Sequence, residues 1–253
     1  MKKTVLALTL AALAVPAFAQ DKKAPEPDYT ISGNLGLASD YRFRGISQTN
    51  KKPAVQGGFD LALKSGFYAG TWASNVNDWA NTEGNGMEID FYGGYKGSLP
   101  MDVGFDIGYI AYQYPGTISD PKQNTQELYI GVSRGPVSYK LSRTMSDAWF
   151  GIDQAKGSLY HDLSASFGLT DQLTLSAHFG YQKIKGDAEG ETSFRDYKIG
   201  AAYDLGSGYS LGLFFTKVSF KEKADGEAWF VGSDTKATKL YGNGTVLSLT
   251  KTF

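Results

Sequence analysis

Residues 173–182 read Leu-Thr-Leu-Ser-Ala-His-Phe-Gly-Tyr-Gln, and they alternate without a break. Leu173, Leu175, Ala177, Phe179 and Tyr181 fall on one side; Thr174, Ser176, His178, Gly180 and Gln182 fall on the other. A period of two is that of a β-strand, whose successive side chains point to opposite faces. The apolar face needs one medium and the polar face another. A soluble barrel turns its apolar face inward, whereas a membrane barrel turns it out to hydrocarbon. The fold depends on which of these holds.

The same alternation runs through the chain. Tyr29, Ile31, Leu35 and Leu37 oppose Thr30, Ser32, Asn34 and Gly36, and Val55, Phe59, Leu61 and Leu63 oppose Gln56, Gly58, Asp60 and Ala62. Met87, Ile89, Phe91 and Tyr95 oppose Glu88, Asp90 and Gly94, and Val103, Phe105, Ile107 and Tyr109 oppose Asp102, Gly104, Asp106 and Gly108. In Ser39-Asp40-Tyr41-Arg42-Phe43-Arg44-Gly45 aromatic and charged residues alternate one by one, which extends the first strand to residue 44. Tyr41 and Phe43 are then expected to face lipid, and Asp40, Arg42 and Arg44 the lumen. Segment 67–76 is ambiguous, because Phe67-Tyr68 and Thr71-Trp72 put large residues on both faces.

Period and turn signals give about twelve strands, at 29–44, 53–64, 66–75, 86–96, 101–114, 124–134, 137–145, 158–169, 173–184, 194–205, 209–220 and 241–253. Their connections sort into two kinds. Short turns at 64–66, 97–100, 135–136, 170–172 and 206–208 alternate with polar loops at 45–52, 76–85, 115–123, 146–157, 185–193 and 221–240. Strict alternation puts all short turns at one end of a barrel and all long loops at the other. That is the pattern of an outer-membrane barrel with short periplasmic turns and longer external loops. The expected fold is an all-β, antiparallel, up-and-down transmembrane β-barrel over residues 29–253.

Composition agrees. Lys2 and Lys3, the apolar run from Val5 to Val15 and Ala17-Phe18-Ala19 read as a secretory signal peptide at 1–19, followed by a flexible leader at 20–28. Of 25 basic residues two lie in that signal, so the exported chain carries 23 bases against 26 acids, a balance that argues against nucleic acid. Cys is absent, which excludes disulfides, thiolate metal sites and a Cys nucleophile. No cofactor is expected. Outside the signal no apolar run is long enough for a membrane helix. Tyr95, Tyr139, Tyr203 and Tyr209 beside short turns, and Tyr41, Phe43, Tyr109 and Tyr181 beside long loops, suggest two aromatic girdles. The alternating end Leu247-Ser248-Leu249-Thr250-Lys251-Thr252-Phe253 resembles the C-terminal recognition strand of bacterial outer-membrane proteins. Its terminal Phe253 is the expected signal to the barrel-assembly machinery, and outer-membrane lipid is the expected surround.

Ser39–Thr49 (SDYRFRGISQT), Pro53–Asp60 (PAVQGGFD), Gly66–Trp72 (GFYAGTW) and Gly135–Lys140 (GPVSYK) resemble the TorF family of porins, most densely over residues 33–76. The resemblance implies an outer-membrane barrel with a diffusion function and transfers no site residues.

Lumen residues follow from the register alone. Asp40, Arg42, Arg44, Asp60, Glu88, Asp90, Asp106, Glu127, Lys140, Asp162, His178, Asp196 and Lys198 are the candidate pore-lining residues. With Asp102, Asp204, Lys64 and Lys96 added, the interior holds ten acids and six bases. Small inward residues such as Gly108, Gly180, Gly200 and Gly212 favour a gap, while Tyr112, Tyr160 and Phe214, if inward, narrow it. One expectation is a narrow channel in which Arg42 and Arg44 face Glu88, Asp90 and Glu127 and pass small polar, cationic or zwitterionic solutes. The other is that the charges neutralise one another and fill the lumen, leaving a structural or binding barrel. An enzyme is not expected. His161 and His178 are the only histidines; His161 has lipid-facing parity, and no nucleophile motif surrounds either. Trp79, Trp229 and Phe230 on loops can bind a partner or fold into the mouth.

Overall fold

The computed structural model describes residues 27–77, 86–117, 123–186, 193–220 and 240–253. The signal peptide, most of the leader, and Trp79, Trp229 and Phe230 lie outside the described residues. Twelve strands close into one antiparallel barrel. They are β1 (Tyr29–Ala38), β4 (Ala54–Leu63), β5 (Phe67–Asn75), β6 (Met87–Leu99), β7 (Val103–Gln113) and β8 (Thr125–Arg134). The ring continues with β9 (Val137–Thr144), β10 (Leu159–Gly168), β11 (Leu173–Lys183), β12 (Phe194–Gly206), β13 (Tyr209–Phe220) and β14 (Gly244–Thr252). Two further strands, β2 (Arg42–Phe43) and β3 (Ile46–Ser47), form a separate small hairpin in the β1–β4 connection.

Sequence neighbours pair around the ring, and β1 closes the seam on β14. Phe253 extends that seam: its N–H donates to the Gly33 carbonyl and its carbonyl accepts from the Gly33 N–H. Its ring meets Phe59 edge-on at 6.4 Å. Gly33 lies beneath, and a Cβ there would sit 2.6 Å from the Phe253 ring, so the bare backbone lets the terminal ring lie across the seam.

The apolar face points outward. Ile31 is 65% exposed, Phe59 59% and Ile199 63%, and the same face of every barrel strand carries such residues. An apolar belt around the whole molecule far exceeds what a water-soluble surface leaves open. It is the outer face of a membrane barrel. Tyr95, Tyr139, Tyr203, Tyr209 and Tyr109 stand on it near the strand ends. The ambiguous segment resolves: Phe67 is outward, and Tyr68 and Trp72 point inward.

Buried side chains instead lie inside the ring, at the long-loop end. Tyr41, Ile46, Tyr112, Tyr114, Phe150 and Phe194 belong to one cluster there, with Phe43 and Trp72 packed on it. The expectation that Tyr41 and Phe43 face lipid is therefore wrong. β1 ends at Ala38, because ten residues already suffice for a tilted strand to cross hydrocarbon. Beyond it the chain turns into the barrel, where the two rings lose their water and the Tyr41 hydroxyl gains a partner.

Three smaller corrections follow. Met101 and Asp102 adopt positive φ in a short 3-10 turn, so β7 starts at Val103 and Asp102 is exposed rather than luminal. Lys64 sits in a turn, its ammonium 3.6 Å from Asp28. The inward glycines do not mark a gap. A Cβ on Gly108 would collide with the Tyr129 hydroxyl, and one on Gly200 with the Phe214 ring, so these positions are floors on which aromatic rings lie. Tyr112, Tyr160 and Phe214 all point inward.

Candidate functional site in the barrel lumen

The β2–β3 hairpin builds the centre of the outer zone. Arg42 pairs with Ser47 and Phe43 with Ile46, leaving Arg44-Gly45 as a two-residue loop. Both loop residues have positive φ, at 46° and 79°, as a type I′ turn requires. Glycine takes that conformation freely; arginine takes it at a cost that its side-chain contacts repay. Gly45 is pressed on the far wall, where a Cβ would meet Val218 at 2.6 Å and Asp196 at 3.1 Å. The hairpin thus spans the lumen from the β1–β4 side to β12 and β13.

Arg44 anchors it. Its guanidinium makes a two-pronged contact with Glu127 at 3.0 and 2.6 Å and a third bond to Gln182 Oε1 at 2.6 Å. The ring of Tyr160 lies 4.0 Å beneath it. Burial works against the Arg44 charge, but the Glu127 carboxylate outweighs it, and the guanidinium holds its proton more tightly than usual. Arg42 does not reach that cluster. It binds Asp40 at 2.7 Å and the carbonyls of Gly45 and Gly242. Asp40 also accepts from Ser47 and Thr49, which fixes the base of the hairpin.

Glu88 is fully buried, and its two oxygens accept from Tyr41 and Tyr114, each at 2.6 Å. Burial, then the nearby Glu88 charge, raises both phenols well above their ordinary range, so both stay protonated donors. Asp90 is also buried, and its Oδ1 has no hydrogen-bond partner among the described residues. Phe150, from the 145–158 loop, closes the zone from outside. Its ring packs on Phe43 and Tyr112, and its N–H donates to Thr125 Oγ1 at 2.8 Å.

Toward the short turns the character changes. Asp60, Asp106, Asp162 and Lys140 are only partly buried, and Lys96 and Lys198 are exposed to the interior. Each carboxylate is held by a neutral donor or by histidine. Tyr92 donates to Asp60 and Tyr68 to Asp106, both at 2.6 Å. Ser164 donates to Asp162 at 2.6 Å, and Tyr160 donates to Asp196 at 3.0 Å. His178 bridges the last two, with Nδ1 3.1 Å from Asp162 and Nε2 2.9 Å from Asp196. A carboxylate oxygen thus faces each ring nitrogen, and a ring that donates from both would satisfy both. Ser164 Oγ lies 3.0 Å from Nδ1 but donates its proton to Asp162, which contacts the same nitrogen.

Lys96, Lys140 and Lys198 form no ion pair among the described residues. Their ammonium groups lie over Tyr68, Tyr129 and Phe214, at 5.6, 5.6 and 5.5 Å. Lys96 is the register partner of Asp106, Lys140 of Asp162 and Lys198 of His178. At Lys96–Asp106 and Lys140–Asp162, ammonium and carboxylate therefore stand side by side on a wetted wall without closing on each other.

All thirteen candidate lumen residues lie inside the ring, but in two groups. Asp40, Arg42, Arg44, Glu88, Asp90, Glu127 and Asp196 belong to the packed outer zone or its floor. Asp60, Asp106, Lys140, Asp162, His178 and Lys198 line the wetted inner zone. Of the opposed charges expected, Arg44–Glu127 is formed, whereas tyrosines hold Glu88 and no arginine meets Asp90. Tyr41, Tyr114, Gln182 and the aspartate-binding tyrosines were missed. One signal was available: a strand of 29–44 is far longer than a membrane crossing needs.

The family model Gcw_chp, described as a bacterial protein of unknown function, matches residues 22–253. No curated protein matches the chain in sequence. Among solved structures, the KdgM porin superposes with a TM-score of 0.54 at 7% identity, covering 88% of this chain and 99% of that one. The NanC porin does so at 0.55 and 8%, with 88% and 99% covered. A KdgM porin in complex with disordered oligogalacturonate gives 0.53 and 7%, with 88% and 98% covered. Identities this low carry the twelve-stranded barrel and nothing finer. By the match across nearly its whole length, the chain belongs to the Gcw_chp family.

Proposed function

We propose that the chain is an outer-membrane porin-like channel for passive diffusion of small polar and zwitterionic solutes, its outer mouth closed by the β2–β3 hairpin. The carrying observation is the division of the lumen into a packed outer zone and a wetted inner zone whose lysines form no ion pair with the carboxylates beside them. Sorted connections orient the short turns to the periplasm and the long loops outward. The porin fold of KdgM and NanC, and the resemblance to the TorF family, support the same reading. Side-by-side opposite charges suit a solute that carries both. The three unpaired lysines disfavour a solute that is only cationic. Phe253, seated across the seam, supports a role in assembly through the C-terminal strand.

Planar-bilayer recording with the folded protein tests this. Small discrete conductance steps, with a reversal potential near zero under a salt gradient, are expected. The packed outer zone favours a second reading, a sealed barrel with a structural role, and a permanently silent membrane would establish it instead.

A further inference from the structure

The outward face is apolar nearly everywhere, but not on one flank at the long-loop end. There Arg143 on β9, Lys183 on β11, Arg195 on β12 and Lys217 on β13 all point outward and are exposed. No acidic residue shares the outward face of these five strands, β9 to β13. The opposite flank differs. At the same end, β4 to β8 present Val55, Ala73, Met87, Ala111 and Leu128, with only amides as polar groups.

Register shows that Lys183, Arg195 and Lys217 form one band, with Arg143 at its edge. Leu159 pairs with both Arg143 and Lys183, so these two flank it, roughly 10 Å apart at the usual strand spacing. Tyr181 pairs with Arg195, and Tyr197 with Lys217, so from Lys183 to Arg195 to Lys217 each cation lies one outward position further down its strand than the last. Strands tilted by roughly 40° slip by one to two residues per neighbour at constant height, so this stagger keeps Lys183, Arg195 and Lys217 level. None makes an ion pair among the described residues.

A second feature coincides with the band. A surface cleft of about 240 Å³ opens between Lys183 and Arg195, with Tyr181, Ile184, Ser193, Phe194 and Ser219 also in its wall. The Arg195 guanidinium lies 5.8 Å from the Tyr181 ring, and His161 stacks on the other side of that tyrosine. Cationic prongs, hydroxyls and a cleft, directly above an apolar wall, match an amphiphile with an anionic head.

We propose that this flank binds a phosphorylated glycolipid of the outer leaflet, its phosphate between Lys183 and Arg195 and its acyl chains along the apolar faces of β10 to β12. Guanidinium and ammonium suit phosphate oxygens, and long basic side chains reach up from hydrocarbon to the headgroup layer. The proposal rests on the outer-membrane reading and not on conduction.

Native mass spectrometry of the detergent-folded barrel tests it, with diphosphoryl lipid A, dephosphorylated lipid A and inorganic phosphate as probes. Diphosphoryl lipid A is expected to remain bound, and the dephosphorylated form to bind at least about tenfold more weakly. Lys183→Ala with Arg195→Ala weakens binding by on the order of ten- to thirtyfold. Lys183→Arg with Arg195→Lys retains it, and Val55→Ala on β4, on the other flank, leaves it unchanged. Equal binding of both lipids, an unaffected double alanine variant, or full competition by inorganic phosphate would overturn the site. A chain that partitions into water fails the membrane reading itself, a distinguishable result.

Discussion

Arg44→Ala is expected to open the outer mouth. Both partners of the Arg44–Glu127 pair are almost sealed from water, with 6% and 2% of their side-chain surface exposed, so screening does little to soften the loss. Removing one member of such a pair leaves the other charged and uncompensated, which costs about 3–5 kcal/mol. The stacked Tyr160 ring loses its cation as well, worth on the order of 1 kcal/mol. The barrel ladder does not depend on this pair, so the penalty falls on the seated hairpin. A bias of about 4 kcal/mol multiplies the displaced population roughly a thousandfold. Single-channel recording of Arg44→Ala should show higher open probability and a larger step than wild type. Arg44→Ala with Glu127→Ala removes the stranded carboxylate and should return part of the closed population. A folded Arg44→Ala barrel with wild-type open probability and conductance would refute the view that this pair holds the hairpin across the lumen.

Tyr41→Phe strands one oxygen of buried Glu88 and should loosen the hairpin by about 1–3 kcal/mol, read as faster proteolysis of the 39–53 segment with the barrel intact. Lys96→Glu with Lys140→Glu should move the reversal potential toward cation preference without changing folding, checked in a salt gradient. Ile199→Lys puts a charge on the lipid face and should destabilise folding into vesicles by about 2–4 kcal/mol in urea titration, whereas inward Ala202→Lys should not. Phe253→Ala removes the ring that crosses Gly33 toward Phe59 and should lower the folded yield in the outer membrane, measured by heat-modifiable gel mobility.

Strand pattern and connection lengths made the barrel legible from the chain alone. Leu173 to Tyr181 could be assigned a face because period two persists through them and a one-residue slip would reverse every side chain. Parity also placed Asp60, Asp106 and Asp162 inside. It failed at Tyr41 and Phe43, because parity says which face a residue takes if the strand continues, not where it stops. The Arg44-Gly45 turn lacks the usual asparagine, and what holds it there is Glu127, 83 residues away. Glycine misled for a related reason. Missing side chains at Gly108 and Gly200 read as empty volume, whereas cross-strand rings occupy it, and a single strand does not reveal its neighbour's rotamer.

The β2–β3 hairpin is synthesised early, yet its seat is made late. Arg44 needs Gln182, 138 residues on, and Arg42 needs the carbonyl of Gly242, 200 residues on. The stopper therefore has no socket until the final strands have met β1. A barrel still being built is an unstoppered one, and its closure against leakage waits on completion of the seam.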